Sequence, residues 1–191
     1  MGLAPIYQKP RTTIPHPEHR AYKYLLRGLT IDKPNQVWCA DVTYIPMRRG
    51  FLYLVAVMDW ATRKVLSWRL SNSMDAEFCI QALEEALARY GPPEIFNTDQ
   101  GSQYAAEAYR SALAQSGITP SMSRKGDCWD TAPMESFFHA LKTERVYHRV
   151  YATRAEARRD LFGYIEGFYN SRRLHSALDY ISPAEMERRA A

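Results

Sequence analysis

Three acidic residues, Asp41, Asp99 and Glu135, have types and settings that could do chemistry. Asp41 lies inside a strand-like run from Val37 to Met47, Asp99 closes a second short apolar run, and Glu135 falls near the start of a segment with helical spacing. Carboxylates gathered from two strands and a helix can hold a pair of divalent cations, the equipment for cutting and joining phosphodiester bonds. Spacing alone does not select them. The 35 residues that separate Asp99 from Glu135 also separate Asp41 from Glu77 and Asp130 from Glu166.

Local setting separates these pairs. By the two-residue period of a strand, Asp41 shares a face with Cys39, Thr43 and Ile45. In a central strand such a carboxylate calls for a cationic partner; at an edge it would simply face water. Asp99, in NTDQGSQY, ends a strand; it is either a turn former or a group aimed into a crevice at the strand ends. Glu135 occupies the first turn of its helix, where the dipole favours an acid, but Ala132 three residues earlier cannot complete a capping box. Met134, Phe137, Phe138 and Leu141 form that helix's core stripe, and Glu135, His139 and Lys142 fall on a neighbouring face. Glu77 opens one helix and Glu166 lies in a late amphipathic one, so neither follows a loop from a candidate strand. Asp59, closing the second strand, reads as a structural or turn residue.

The elements that must position these groups follow from periodicity. VWCADVTYIPM, FLYLVAVMDW and KVLSWRL are β-rich and joined by short connections at 48–50 and 61–63, which predicts an antiparallel meander. A helix is expected from Asp75 to Tyr90, ended by Gly91-Pro92-Pro93, then a strand from Glu94 to Thr98 and a helix from about Ala105 to Gln115. A fifth short strand, Ile118 to Met122, precedes a polar loop from Ser123 to Thr131 and a helix from about Pro133 to Tyr147. Thr153 with Glu156, and Ser182 with Glu185, form capping boxes of two further helices. Residues 1–34 read as a basic, Pro-containing arm with a short turn of helix at Ala21 to Arg27, 35–150 as the core, and 151–191 as a helical extension packed on it. The fold class is α/β, a mixed five-stranded sheet flanked by helices.

Composition excludes several classes. With 46% apolar and 24% charged residues among 191, the chain is an ordinary globular protein. No apolar run is long enough for a membrane span and no secretion signal opens the chain, so a cytoplasmic location is expected. Cys39, Cys79 and Cys128 form no CxxC pair and read as reduced, buried or half-buried thiols. Charge is uneven: residues 1–34 carry net +4, 35–141 net −3 and 142–191 net +3. An acidic centre with basic flanks fits a metal-binding core whose edges meet a polyanion.

WCADVTYI, NTDQGSQY and DTAPMESFFHALKTE resemble the three acidic motifs of bacterial insertion-sequence transposases, in the DDE, retroviral-integrase-like superfamily. KPNQVW before the first motif and YNSRRLHSALDYISPAE after the third extend the resemblance to essentially the whole chain, closest to the second-frame protein of two-frame elements. The resemblance implies a ribonuclease-H-like fold. It implies that Asp41, Asp99 and Glu135 are the catalytic metal ligands, for Mg²⁺ (with Mn²⁺ as substitute), two ions in all. Lys142 matches the family's basic contact to transposon-end DNA; otherwise it is a solvated lysine. Asn97 stands where many relatives have His, and Thr131 where many have Asn. Arg173 and His175 match a closing Asn-x-x-Arg-x-His pattern with Asn170, which implies holding the last helices on the core; a helix C-cap is the simpler reading.

The implied reaction is nicking of an element end, followed by attack of the freed 3′-hydroxyl on another strand. In the loop before Glu135, Arg124 and Lys125 are expected on DNA phosphates and Trp129 either stacking on a base or packed in the core. Partners would be transposon-end and target DNA, with self-association in a DNA complex near the nucleoid. No helix-turn-helix or zipper precedes Gln36, so end recognition is expected to lie upstream, outside this sequence. The alternative is a non-enzymatic DNA-binding or scaffold protein, a decayed or domesticated copy on the same fold.

Overall fold

A computed structural model describes residues 22–123 and 132–190. Val37–Pro46 (β1), Phe51–Asp59 (β2) and Val65–Ser71 (β3) form the antiparallel meander. The β1–β2 connection closes at Gly50, whose φ of +73° suits glycine, with the Met47 N–H donating to the Gly50 carbonyl. At the β2–β3 connection Asp59 is buried. One carboxylate oxygen accepts from the Thr62 N–H at 2.8 Å and the Thr62 hydroxyl at 2.9 Å; the other accepts from the Asn35 N–H at 2.7 Å. Asp59 is thus the structural turn residue its position suggests.

Ile95–Thr98 (β4) and Thr119–Met122 (β5) continue the sheet, each parallel to its neighbour, in the order β3-β2-β1-β4-β5. β1 therefore lies at the centre, which removes the water-facing edge reading of Asp41. Ala76–Tyr90 (α1) starts at Asp75, whose carboxylate accepts from the Phe78 N–H at 3.1 Å, and stops at Gly91 with φ +74°. Ser102–Ala105 (α2) and Glu107–Gln115 (α3) follow β4; Ala132–Glu144 (α4), Arg154–Tyr164 (α5) and Pro183–Ala190 (α6) complete the described helices.

The sheet is buried on both faces. Trp38, Ala40, Val55 and Val57 pack with Phe78 and Leu83 of α1 and with Tyr109 and Leu113 of α3. Cys39, Ile45, Leu54 and Met58 pack with Met134, Phe137 and Leu141 of α4 and with Leu161 of α5. Each such aliphatic or aromatic side chain contributes on the order of 1.5–3 kcal/mol by leaving water. The strand period that puts Cys39 and Ile45 under α4 puts Asp41 on that same face.

Three local features differ from the sequence reading. Residues 22–26 are irregular and 27–28 form a turn rather than a helical turn; Leu26 is buried and the Leu25 N–H donates to Ser121 Oγ at 3.1 Å, so tertiary contacts fix this segment. The single helix expected over 105–115 is broken at Ala106, whose ψ of 141° is extended. The break lets Gln103 and Tyr104 bury on one side of it and Tyr109 and Leu113 on the other, which a continuous helix would not do. After α5 the chain widens into a π turn, Ile165–Tyr169, with the Asn170 N–H bonded to the Ile165 carbonyl at 2.9 Å.

Candidate active site

Asp41 and Asp99 are brought together by a parallel pairing. Cys39 of β1 sits opposite Asn97 of β4, and two residues further along each strand stand Asp41 and Asp99. Both are half-buried. Asp41 Oδ1 accepts from the Val42 N–H at 2.7 Å, and Asp99 Oδ1 accepts from the Gly101 N–H at 2.9 Å. The Asp99 contact is the turn geometry expected of a strand-end aspartate, yet it leaves the second oxygen free of that bond.

Electrostatics report the proximity. Burial pushes the Asp41 carboxyl up from 3.8 to about 7; Asp99 and then Glu135 add to the rise, while the Val42 N–H and Lys142 oppose it. Asp99 is also raised by burial, against the bond from Gly101. An acid whose pKa is raised by burial and neighbouring carboxylates is one whose ionised form a cation would favour. The donors are all hard oxygens, the preference of Mg²⁺ and Mn²⁺ rather than of zinc. The residues present therefore fit a divalent cation. Among the described residues, however, no three His, Cys, Asp or Glu side chains converge into a ready-made cage. Asp41 and Asp99 form the assembled part, with Glu135 in electrostatic reach.

Glu135 lies exposed in the first turn of α4, beside the buried Met134, Phe137, Phe138 and Leu141. His139 is exposed and Lys142 half-buried on the same flank. Lys142, two turns beyond Glu135, is close enough to Asp41 to oppose the rise of the Asp41 carboxyl. Arg124, Lys125 and Trp129, expected on DNA, lie outside the described residues, as do Thr131 and most of the arm at 1–21. Cys39 and Cys79 are buried free thiols, both pushed up by burial and so poor nucleophiles; Cys128 lies outside the described residues.

Two family descriptions of an integrase core domain match this chain, one over residues 31–128 and the other over 135–190. The chain belongs to the integrase core domain family. Its relatives include a transposase for insertion sequence element IS904 of Lactococcus lactis subsp. lactis (strain IL1403), 44% identical over 81% of this chain and 62% of that protein. Another is the transposase InsF for insertion sequence IS3A of Escherichia coli (strain K12), 40% identical over 81% of this chain and 54% of that protein. The chain thus spans between about half and three-fifths of the curated relatives it matches. It corresponds to the integrase-core region of insertion-sequence transposases of the DDE, integrase-like superfamily.

Solved structures share the fold. A chain of the simian T-cell lymphotropic virus intasome in complex with PP2A regulatory subunit B56 gamma is 18% identical, with a TM-score of 0.69 over 90% of this chain and 60% of that one. The HTLV-2 integrase catalytic core domain in complex with magnesium, in its trimeric form, is 15% identical, with a TM-score of 0.61 over 81% of this chain and 97% of that one. The ribonuclease-H-like fold expected from the sequence is the fold of this integrase core.

Around the carboxylates of this integrase core stands a polar bracket that motif reading noted only as a departure. Asn97, fully buried, donates through Nδ2 to Ser123 Oγ at 3.0 Å and accepts at Oδ1 from Ser121 Oγ at 2.9 Å. Gln100 Nε2 donates to the Ser123 carbonyl at 3.2 Å. These bonds tie β4 and the turn after it to the end of β5. Gly101 has its own reason: a Cβ there would collide with the Gln103 side-chain amide, which buries against it. The signal available in the sequence was an Asn in a strand otherwise apolar on that face.

The closing pattern also resolves. Asn170 is the C-cap of the Ile165–Tyr169 turn, and Arg173 donates its N–H to the Phe168 carbonyl at 2.8 Å. The Arg173 side chain makes a two-pronged pair with Glu144 at the end of α4, Nε to Oε1 at 3.0 Å and Nη2 to Oε1 at 2.6 Å, while Tyr164 donates to the same carboxylate at 2.6 Å. The His175 ring packs edge-on against Tyr169, centroids 4.9 Å apart. Asn170 binds β3. The pattern both closes the helix end and fastens the C-terminal segment to the core.

Proposed function

We propose that this chain carries the catalytic centre of a DNA transposase, nicking element ends and joining the freed 3′-hydroxyl to a second strand. The observation that carries the reading is the pairing of β1 with β4, which sets Asp41 beside Asp99 in a half-buried position that also feels Glu135 and Lys142.

In this reading Asp41, Asp99 and Glu135 hold two Mg²⁺ ions, with Mn²⁺ as a substitute. Bound there, the ions supply the Lewis acidity that spreads charge from a reacting phosphodiester. Asp41 and Asp99 fix the position through their backbone bonds, Glu135 closes the site from α4, and Lys142 neutralises a DNA phosphate alongside. Water attacks phosphorus in line and the bond to the 3′-oxygen breaks, leaving a 3′-hydroxyl; that hydroxyl then repeats the attack on another strand. No protein nucleophile is required, consistent with the raised, buried thiols. Arg124, Lys125 and Trp129 are proposed DNA contacts. End recognition and part of self-association are assigned to an upstream region, and a cytoplasmic, nucleoid-associated location belongs to the same reading. Among the described residues no helix is long and apolar enough to cross a membrane.

The test is nicking of end-containing DNA with Mg²⁺, compared between the wild-type chain joined to its upstream region and Asp99→Ala. Nicking by the first and none by the second is expected. Equal inactivity under every metal would instead favour the non-enzymatic, DNA-binding alternative.

A further inference from the structure

β1 does not stop at the carboxylate. It runs five residues past Asp41 to Pro46 and turns back at Gly50, so the hairpin tip extends roughly 17 Å beyond the site at about 3.3 Å per residue. On the α4 face this extension is buried by Thr43, Ile45, Leu52 and Leu54. On the other face α1 and α3 cover Trp38 and Ala40, Val42 and Tyr53 are partly buried against the same cluster, and Tyr44 is exposed beyond it. Tyr44 pairs with Tyr53, and Pro46 with Phe51, across the two strands, so these four side chains share the open face.

Three of them form an aromatic cluster. The Tyr44 and Phe51 rings stand 5.0 Å apart and nearly perpendicular; Tyr53 lies 5.2 Å from each. Tyr44 is 51% exposed and Phe51 48% exposed, a placement that costs hydrophobic free energy unless something covers it. At the tip, Arg48 and Arg49 are exposed, and the Arg48 N–H bonds to the Tyr151 carbonyl at 2.8 Å, which docks the segment carrying exposed Arg149 beside them. Residues 44–53 and 147–151 contain these three arginines and no aspartate or glutamate. Among the described residues none of the three makes an ion pair; Asp160, which senses Arg149, is already held by Arg145 and Tyr151.

We propose that this hairpin is a docking surface for unpaired DNA, with bases stacking on Tyr44 and Phe51 and the phosphates meeting Arg48, Arg49 and Arg149. Half-exposed aromatic rings reward bases out of the duplex, and three guanidiniums outside the ion pairs of the described residues fit a polyanion rather than a second protein surface. The inference rests on the strand-transfer reading, in which a strand end must be held apart from its partner close to Asp41. It assigns that task to a part of the sheet outside the acidic motifs.

The experiment measures binding by fluorescence anisotropy, in chelator and in an Asp99→Ala background, so that neither metal nor catalysis enters. The probes are a labelled oligonucleotide of about 20 thymidines and its duplex. Tyr44→Ala with Phe51→Ala is expected to weaken single-strand binding about tenfold and duplex binding little. Arg48→Ala, Arg49→Ala and Arg149→Ala together are expected to flatten the log–log salt slope by about two, at roughly 0.7 per phosphate contact. Arg158→Ala with Arg159→Ala, exposed on α5, leaves both unchanged, and Tyr44→Trp retains binding. Thermal melts confirm that each variant is folded. Wild-type affinity and slope in the hairpin variants would overturn the proposal while leaving the nicking reading intact. So would a loss of self-association on sedimentation without a loss of DNA affinity, which would assign the surface to a second copy.

Discussion

The side chain of Asn170 holds both backbone groups of Val65: Oδ1 accepts from the Val65 N–H and Nδ2 donates to the Val65 carbonyl, each at 2.9 Å. β3 is an edge strand, and here a carboxamide stands in for the missing neighbour strand. The π turn that ends α5 positions Asn170 for this. At the other end of β3, Arg154 Nη2 donates to the Leu70 carbonyl. The edge is thus held at both ends by the C-terminal segment.

Asn170→Ala is expected to cost about 3 kcal/mol, because two buried backbone groups lose their partner at once. Asn170→Asp is expected to cost at least as much, since it removes the donor and sets a second carboxylate near Glu166, to which Nδ2 also donates at 3.2 Å. Urea unfolding checks both; losses below about 1 kcal/mol would contradict the assignment.

Asp59 separates a structural acid from the proposed metal ligands. Asp59→Asn keeps one acceptor oxygen where three donors now bind, and a loss of about 2 kcal/mol is expected. The Mg²⁺ dependence of nicking by the folded fraction should not change. A shifted metal requirement in this variant would return Asp59 to the site.

Much of the fold was legible because burial follows period. β1–β3 alternate or run apolar between short turns, and α1 carries both an Asp cap and a Gly stop. What escaped has a tertiary cause. Ala106 has no breaking propensity, and its extended conformation exists so that Tyr104 and Tyr109 can both bury. The π turn at Ile165–Tyr169 leaves no mark in helical spacing, though the Asn170 contact depends on it. In the candidate site, the strand settings single out Asp41 and Asp99, and the β1–β4 pairing brings these two together. The role of Asn97 could not be read from its setting, because its partners Ser121 and Ser123 lie on β5 and just past its end, more than 20 residues away in sequence.

Asn97→Ala tests that bracket. Loss of the buried amide leaves two serine hydroxyls short of a partner and is expected to lower stability by about 2 kcal/mol. Because Asp99 follows two residues later, the Mg²⁺ concentration for half-maximal nicking should also rise severalfold. A stability loss with an unchanged metal requirement would make Asn97 a fold residue only.

His175 sets an acid limit. Burial, with Arg173 and Arg63 nearby, lowers its pKa from 6.5 to about 4. The folded chain therefore binds this proton less readily than the unfolded chain. The stability it contributes is complete above about pH 6.5 and is lost as pH falls towards about pH 4. His175→Phe, which keeps the edge-on contact with Tyr169, should flatten the melting temperature over that window. An unchanged acid limb would place the titration elsewhere.

Asp41 acts with the opposite sign. Its carboxyl is raised from 3.8 to about 7 by burial, Asp99 and Glu135, so the folded chain keeps a proton that the unfolded chain has released. Its contribution to stability therefore falls as pH rises from about 4 to about 7 and stays low above that. His175 opposes this below about pH 6.5, so the informative quantity is the difference between wild type and Asp41→Asn. In chelator, the wild type should lose stability relative to Asp41→Asn as pH rises. Millimolar Mg²⁺ should restore the wild type at about pH 8 and do little at about pH 5, because a cation competes with the proton for the same oxygens. Asp41→Asn should remove both the slope and most of the metal response. A wild-type melting temperature indifferent to Mg²⁺ at about pH 8 would remove Asp41 from the metal-holding set, whatever the nicking assay shows.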